Sequence, residues 1–135
     1  VIGGEGNGGI IVPELHYGRD ALAGIALLLS YLARSGKSLG ELKAGYPDYR
    51  IIKDKIALTP DTDMAALLET LHDKYRAEDC NTIDGLKIDF EHGWVHLRQS
   101  NTEPIIRVYA ESTSEAEARS LADRIKGDAT AILAG

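Results

Sequence analysis

The chain has a single cysteine, a single methionine, a single tryptophan and a single phenylalanine among its 135 residues. A lone Cys80 excludes an internal disulfide framework, and no Cys/His spacing resembles a zinc site. The single thiol fits a reducing compartment, so a cytoplasmic location is expected. Basic residues are also scarce: 15 Lys and Arg against 21 Asp and Glu leave a net charge of −6. That balance argues against nonspecific nucleic-acid partners while leaving room for a local cationic pocket. The most apolar stretch covers residues 21–33, short of the ~20 residues that a bilayer span requires, so no membrane partner is expected. The chain opens Val1-Ile2-Gly3-Gly4 with no initiator Met and no signal peptide. With so apolar a helix close behind that opening, it reads as a piece of a longer polypeptide.

What is present has a globular composition, 44% hydrophobic and 27% charged. Residues 1–15 read as a strand end, a glycine-rich loop and a second short apolar segment. From Arg19 to about Arg34 the apolar positions Leu22, Ile25, Ala26, Leu29, Leu32 and Ala33 recur at helical spacing. Leu27, Leu28 and Ala23 widen that surface, so the helix needs cover on more than one side. Residues 39–42 suit one further short turn. From Tyr49 a second unit begins. Residues 50–58 read as a strand, and Thr59-Pro60-Asp61 introduces a helix to about Arg76 with Met64, Leu67, Leu68, Leu71 and Tyr75 on one stripe. Residues 82–90 alternate Leu86, Ile88 and Phe90 against Lys87 and Asp89, as a half-buried strand does. Glu91-His92-Gly93 turns the chain into a strand over 94–98, and residues 105–111 form another. Ser114 with Glu117 makes a capping box ahead of a closing helix that turns Ala118, Leu121, Ala122, Ile125, Ala129 and Ile132 inward. The order β-α-β-β-β-α predicts an α+β fold, an antiparallel sheet with two helices on one face, preceded by a partial α/β segment.

The most informative segment is Arg98-Gln99-Ser100-Asn101-Thr102-Glu103-Pro104-Ile105-Ile106-Arg107. A hairpin here brings Arg98 and Arg107 to one loop mouth. Arginine offers a planar fork of donors matched to phosphate, and Ser100, Thr102 and the turn's backbone N–H groups add shorter-range donors. Asn101 tolerates the left-handed conformation that anion-cradling turns often use. Hydrogen bonds to a charged group contribute about 1.5–3 kcal/mol each, so losing one arginine weakens binding about tenfold or more. The competing reading is a solvated hairpin whose arginines pair with Glu103 and Glu111, and the residues alone leave the two readings even. A second candidate is Gly4-Glu5-Gly6-Asn7-Gly8-Gly9. Glu5 and Asn7 can hydrogen-bond sugar hydroxyls while the glycines let a ligand approach. Taken alone, that segment is better read as an ordinary turn; it is neither the G-x-x-x-x-G-K-[ST] phosphate loop nor a G-x-G-x-x-G that opens a helix directly, so no nucleotide site follows.

Together the two segments resemble the α-D-phosphohexomutase superfamily, the phosphomannomutase, phosphoglucomutase and phosphoglucosamine mutase enzymes. That family carries a sugar loop of the form GExSG in its third domain and a phosphate loop R-x-S-[GN]-T-E-P-x-x-R in its fourth. Here they stand in the same order, as GEGNG and RQSNTEPIIR. The resemblance implies that residues 1–48 are the tail of the third, sugar-binding domain. It further implies that residues 49–135 are a C-terminal phosphate-binding domain with a TATA-box-binding-protein-like arrangement. It implies sugar-hydroxyl contacts from Glu5 and Asn7, and contacts to the substrate's non-reacting phosphate from Arg98, Ser100, Asn101, Thr102 and Arg107. Asn7 replaces the usual serine and Gly9 stands where many members have histidine, which bears on hydroxyl preference. GEGNGG followed by PELHYGRD most resembles the phosphoglucosamine mutase type.

The family's reaction passes a phosphoryl group from a phosphoserine to a hexose phosphate through a bisphosphorylated intermediate, beside Mg²⁺ held by a DGDGDR-like loop. Neither motif occurs here, and Asp84-Gly85 reads as a turn. The resemblance therefore implies a hexose phosphate substrate, the N-terminal domains of the same protein as partners, and Mg²⁺ in the full-length enzyme. No catalytic residue, metal ligand or cofactor is expected within these residues, so the segment alone is expected to be inactive. A noncatalytic phosphosugar-binding module, a phosphomannomutase or phosphoglucomutase specificity, and an interaction domain docking through residues 21–33 are the alternatives. His16, His72, His92 and His96 are dispersed. His96 shares strand parity with Arg98, though an outward-facing polar residue is the simpler reading. Trp94 suits packing, Asp20 suits the start of the long helix, and Arg19 is a minor candidate for substrate contact.

Overall fold

The computed structural model describes residues 2–4 and 9–134 of the chain. They divide into two compact units, Val1–Pro47 and Asp48–Gly135. In the first, β1 (Gly3–Gly4) pairs antiparallel with β2 (Ile10–Ile11). Helix α1 (Ala21–Ser35) starts at Asp20, whose carboxylate accepts from the Ala23 N–H at 2.9 Å and lies 3.0 Å from His16 Nε2. It ends at Gly36, in the left-handed region at φ 66°. Of its residues only Ala23 is buried, and Gly24 lies against Ile10. The stripe expected to face inward is exposed, with Leu22 at 79% and Leu29 at 58%. The physical reason is that, among the described residues of its own unit, the two-residue strand β2 is the main element packed on the helix. Helix α2 (Leu39–Ala44) is longer than the single turn expected, because Ser38 and Glu41 close a reciprocal capping box around its first turn.

The second unit contains β3 (Arg50–Ala57), α3 (Met64–Lys74), β4 (Asp79–Asn81), β5 (Leu86–Phe90), β6 (Gly93–Gln99), β7 (Ile105–Ser112) and α4 (Glu115–Ala134). Its sheet is antiparallel throughout, in the order β3-β7-β6-β5-β4. The fold class is the expected one, with two differences in detail. Residues 82–90 are not a single strand. A turn at Gly85, φ 81°, separates β5 from the short β4, which pairs Cys80 with Ile88. Helix α3 starts at Asp63 rather than at Pro60, because the Thr59 N–H and hydroxyl both bond the Thr62 hydroxyl and close a turn first.

One face of the sheet carries the core. Ile52, Ile56, Leu86, Ile88, Val95, Leu97, Ile106, Val108 and Ala110 pack with Leu67 and Leu71 of α3 and Ala118, Ala122, Ile125 and Ala129 of α4. The small alanines let α4 lie close to β7 and β3. Polar ties reinforce the packing: Lys126 Nζ reaches Asp54 Oδ2 at 2.6 Å, and Tyr75 donates to Asp128 Oδ2 at 2.6 Å. Burial, and then the bond to Asp128, push the Tyr75 hydroxyl up to about 12. At the start of α4 the hydroxyls of Thr113, Ser114 and Ser112 converge on Glu117 and hold its carboxyl below the usual range. Strand alternation then assigns the other sheet face to Lys53, Lys55, Arg107, Tyr109, Trp94, His96 and Arg98.

Candidate functional site

Arg98 on β6 and Arg107 on β7 are direct cross-strand partners. Directly opposed residues of an antiparallel pair share a face, with Cβ atoms about 4.5–5.5 Å apart. Their neighbours along the strands, Leu97, Ile106 and Val108, are fully buried toward the helices. Both guanidinium groups therefore rise from the sheet face opposite α3 and α4, and both residues are exposed. Lys55 on β3 is in turn the register partner of Arg107, so three cations occupy one row across three strands.

The connection from β6 to β7 is drawn tight. The Ser100 N–H donates to the Ile105 carbonyl at 3.0 Å, and the Ile105 N–H donates to the Glu103 carbonyl at 2.8 Å. Pro104, which lacks an N–H, offers its carbonyl to the Leu58 N–H at 2.8 Å. Ser100 is 7% exposed. Its hydroxyl oxygen accepts from Arg107 Nη2 at 3.4 Å and lies 3.5 Å from the Thr102 N–H. A cavity of about 230 Å³ is lined by Arg98, Gln99, Ser100, Asn101, Thr102 and Arg107. The structure thus places all five residues read from the sequence as phosphate ligands around one concavity. Asn101 does not adopt the left-handed conformation, since among the described residues only Gly36 and Gly85 have positive φ.

The charges around this concavity are not those of a neutral hairpin. Among the described residues no carboxylate lies within ion-pair distance of Arg107. Arg98 Nε lies 3.1 Å from Asp84 Oδ2, and both side chains are about half exposed. Neither arginine is paired with Glu103 or Glu111; Glu111 instead accepts from Trp94 Nε1 at 3.0 Å. Lys87 lies over the Trp94 ring, which suits the packing role read for this residue. An arrangement of two adjacent guanidinium groups, a buried hydroxyl and the loop N–H groups can bind a tetrahedral oxyanion through charge-assisted bonds.

Glu5 and Asn7 lie outside the described residues, between the paired segments Gly3–Gly4 and Ile10–Ile11. Among the described residues no group of three or more His, Cys, Asp or Glu is placed to hold a metal ion. No helix among them is long and apolar enough to cross a membrane. The four histidines remain dispersed, and the His96 Nε2–H donates to the Asp84 carbonyl at 2.6 Å. Sequence reasoning missed the tie between Asp84, Gly85 and His96. The Asp-Gly pair signalled a turn, and His96 shared parity with Arg98, but nothing in the sequence brought the two together.

Residues 52–127 match the family described as phosphoglucomutase/phosphomannomutase, C-terminal domain, and residues 1–49 match phosphoglucomutase/phosphomannomutase, alpha/beta/alpha domain III. A Thermococcus kodakarensis protein named phosphoglucomutase/phosphomannomutase is 41% identical over 87% of the chain and 26% of its own length. A Methanopyrus kandleri protein named "Probable phosphoglucosamine mutase" is 36% identical over 91% of the chain and 27% of its own length. The crystal structure of a phosphoglucomutase/phosphomannomutase family protein from Burkholderia thailandensis aligns with a TM-score of 0.60 at 29% identity, covering 94% of the chain and 26% of that protein. The chain thus spans about a quarter of the length of the curated relatives it matches.

Proposed function

The chain belongs to the phosphoglucomutase/phosphomannomutase family, and from that premise we propose that it is the substrate-phosphate-binding part of a phosphohexose mutase. The whole protein interconverts a hexose 1-phosphate and a hexose 6-phosphate through a phosphoserine and a bisphosphorylated intermediate, with glucosamine phosphate the first choice of substrate. The sequence GEGNGG with PELHYGRD favours that choice, and the name of the Methanopyrus kandleri relative agrees with it. The Thermococcus kodakarensis relative keeps phosphomannomutase or phosphoglucomutase specificity as the alternative. In this reading residues 1–48 end the sugar-binding domain, where Glu5 and Asn7 hold sugar hydroxyls. Residues 49–135 form the phosphate-binding domain. The phosphoserine and the Mg²⁺ loop lie elsewhere in the protein, so the segment alone has no mutase activity.

The observation that carries the reading is the cross-strand opposition of Arg98 and Arg107 over a loop whose Ser100 hydroxyl already meets Arg107. Arg107, which has no carboxylate partner among the described residues, supplies a guanidinium fork for two phosphate oxygens. Arg98 supplies a second. Ser100, Asn101 and Thr102 add a hydroxyl and backbone N–H groups at the remaining oxygens. Their contribution to turnover is positioning and charge neutralisation, which carry most of the catalysis in phosphoryl transfer. Arg98→Ala and Arg107→Ala in the full-length mutase test this. Each is expected to raise the KM for the hexose phosphate about tenfold or more; unchanged turnover and unchanged KM contradict it.

A further inference from the structure

Arg98 differs from Arg107 in already facing an anion. Asp84 Oδ2 stands 3.1 Å from its Nε. The turn that carries Asp84 is held against β6 at two points and braced by a bond within itself. Gly85, at φ 81°, lies so close to β6 that a Cβ would fall 2.1 Å from the Leu97 carbonyl oxygen and 3.2 Å from Arg98 Cα. His96 Nε2–H holds the Asp84 carbonyl at 2.6 Å. The Asn81 side chain accepts from the Ile83 N–H at 2.9 Å and shapes the preceding residues. A carboxylate is thus delivered by the fold to one of the two arginines of the concavity, and not to the other.

We propose that Asp84 is a built-in competitor at the phosphate site, a carboxylate that stands at Arg98 while the site is empty and weakens its hold on phosphate esters. The inference rests on the phosphate-binding reading above. Two effects oppose each other. The Asp84 contact orders the Arg98 side chain, which favours binding, and its negative charge repels an incoming dianion, which disfavours it. An ion pair between half-exposed groups orders its members only weakly. A unit charge about 6 Å from a dianion in water changes affinity by roughly tenfold, reduced to about threefold by physiological salt. Repulsion wins. Asp84 therefore tempers affinity and speeds release of the phosphate ester.

The test is an amide-shift titration of the ¹⁵N-labelled chain with inorganic phosphate and with glucosamine 6-phosphate, at low and at high ionic strength. Asp84→Asn and Asp84→Ser, both on an exposed turn, are expected to bind each probe about three- to tenfold more tightly than the unsubstituted chain at low salt. The gap is expected to close near 1 M salt, where the Debye length falls to about 3 Å. Equal or weaker binding by both variants overturns the inference. Arg107→Ala separates the two levels. If it binds as the unsubstituted chain does, or if that chain shows no shifts at all, the phosphate-site reading fails and this inference with it. If Arg107→Ala loses binding while the Asp84 variants do not gain it, only the role of Asp84 is overturned.

Discussion

Gly85 rests directly on the backbone of Leu97: a Cβ placed on it would fall 2.1 Å from the Leu97 carbonyl oxygen. Its φ of 81° independently disfavours any side chain. The β4–β5 turn can approach β6 only because this position is bare. Gly85→Ala combines a left-handed backbone cost of about 1–2 kcal/mol with a main-chain clash. It should destabilise the chain by more than about 2 kcal/mol in urea unfolding. Unfolding at the same denaturant concentration as the unsubstituted chain contradicts this packing.

Ser100 is buried in the loop it closes, and its hydroxyl oxygen meets Arg107 Nη2 at 3.4 Å. Ser100→Ala leaves the Ser100-to-Ile105 main-chain bond in place and removes only the hydroxyl. Stability should change by no more than about 1 kcal/mol. Phosphate affinity should fall about three- to tenfold, because the loss includes both a donor to the ligand and the contact with Arg107. Isothermal titration of the full-length mutase checks the affinity and thermal melting the stability; unchanged affinity shows that the hydroxyl serves the loop alone.

Asp54 ties β3 to α4 by accepting from Lys126 Nζ at 2.6 Å. That bond, followed by the Lys55 N–H, holds its carboxyl below the ordinary value. With the folded pKa lower than the unfolded one of about 3.9, the stabilisation is fully present above pH ~5. It is lost as the pH falls through the folded value. Asp54→Asn should cost about 1 kcal/mol or less at pH 7, since the pair is partly exposed. The difference from the unsubstituted chain should shrink as the pH falls below the ordinary carboxylate range. A constant difference from pH 7 to pH 2.5 in urea titrations refutes the assignment.

Much of the second unit was legible because its residues alternate cleanly. Leu86, Ile88 and Phe90 against Lys87 and Asp89 give a strand with one buried face, and Leu67 with Leu71 gives a helix stripe that the structure buries. The short β4 was not legible: Asp79-Cys80-Asn81 carries no alternation, and it is a strand only because β5 offers it an edge. The start of α3 was misplaced because Pro60-Asp61 and Asp63 both suit a helix N-terminus, and the Thr59–Thr62 hydroxyl pair decides between them. At the site, the spacing of Arg98 and Arg107 announced a hairpin mouth. The pairing of Arg98 with Asp84 depends on a turn packed across another strand, which local sequence does not encode. The exposed stripe of α1 is the opposite case: its apolar spacing is plain, and its cover is not supplied within its own unit.

The most direct measurement of the central claim is an amide-shift titration of the ¹⁵N-labelled chain with glucosamine 6-phosphate, alongside the same titration of Arg107→Ala. The account predicts saturable shifts centred on Ser100, Asn101, Thr102 and Arg107, weakened about tenfold or more by the substitution. Shifts absent from that loop, or unchanged when Arg107 is removed, would contradict it.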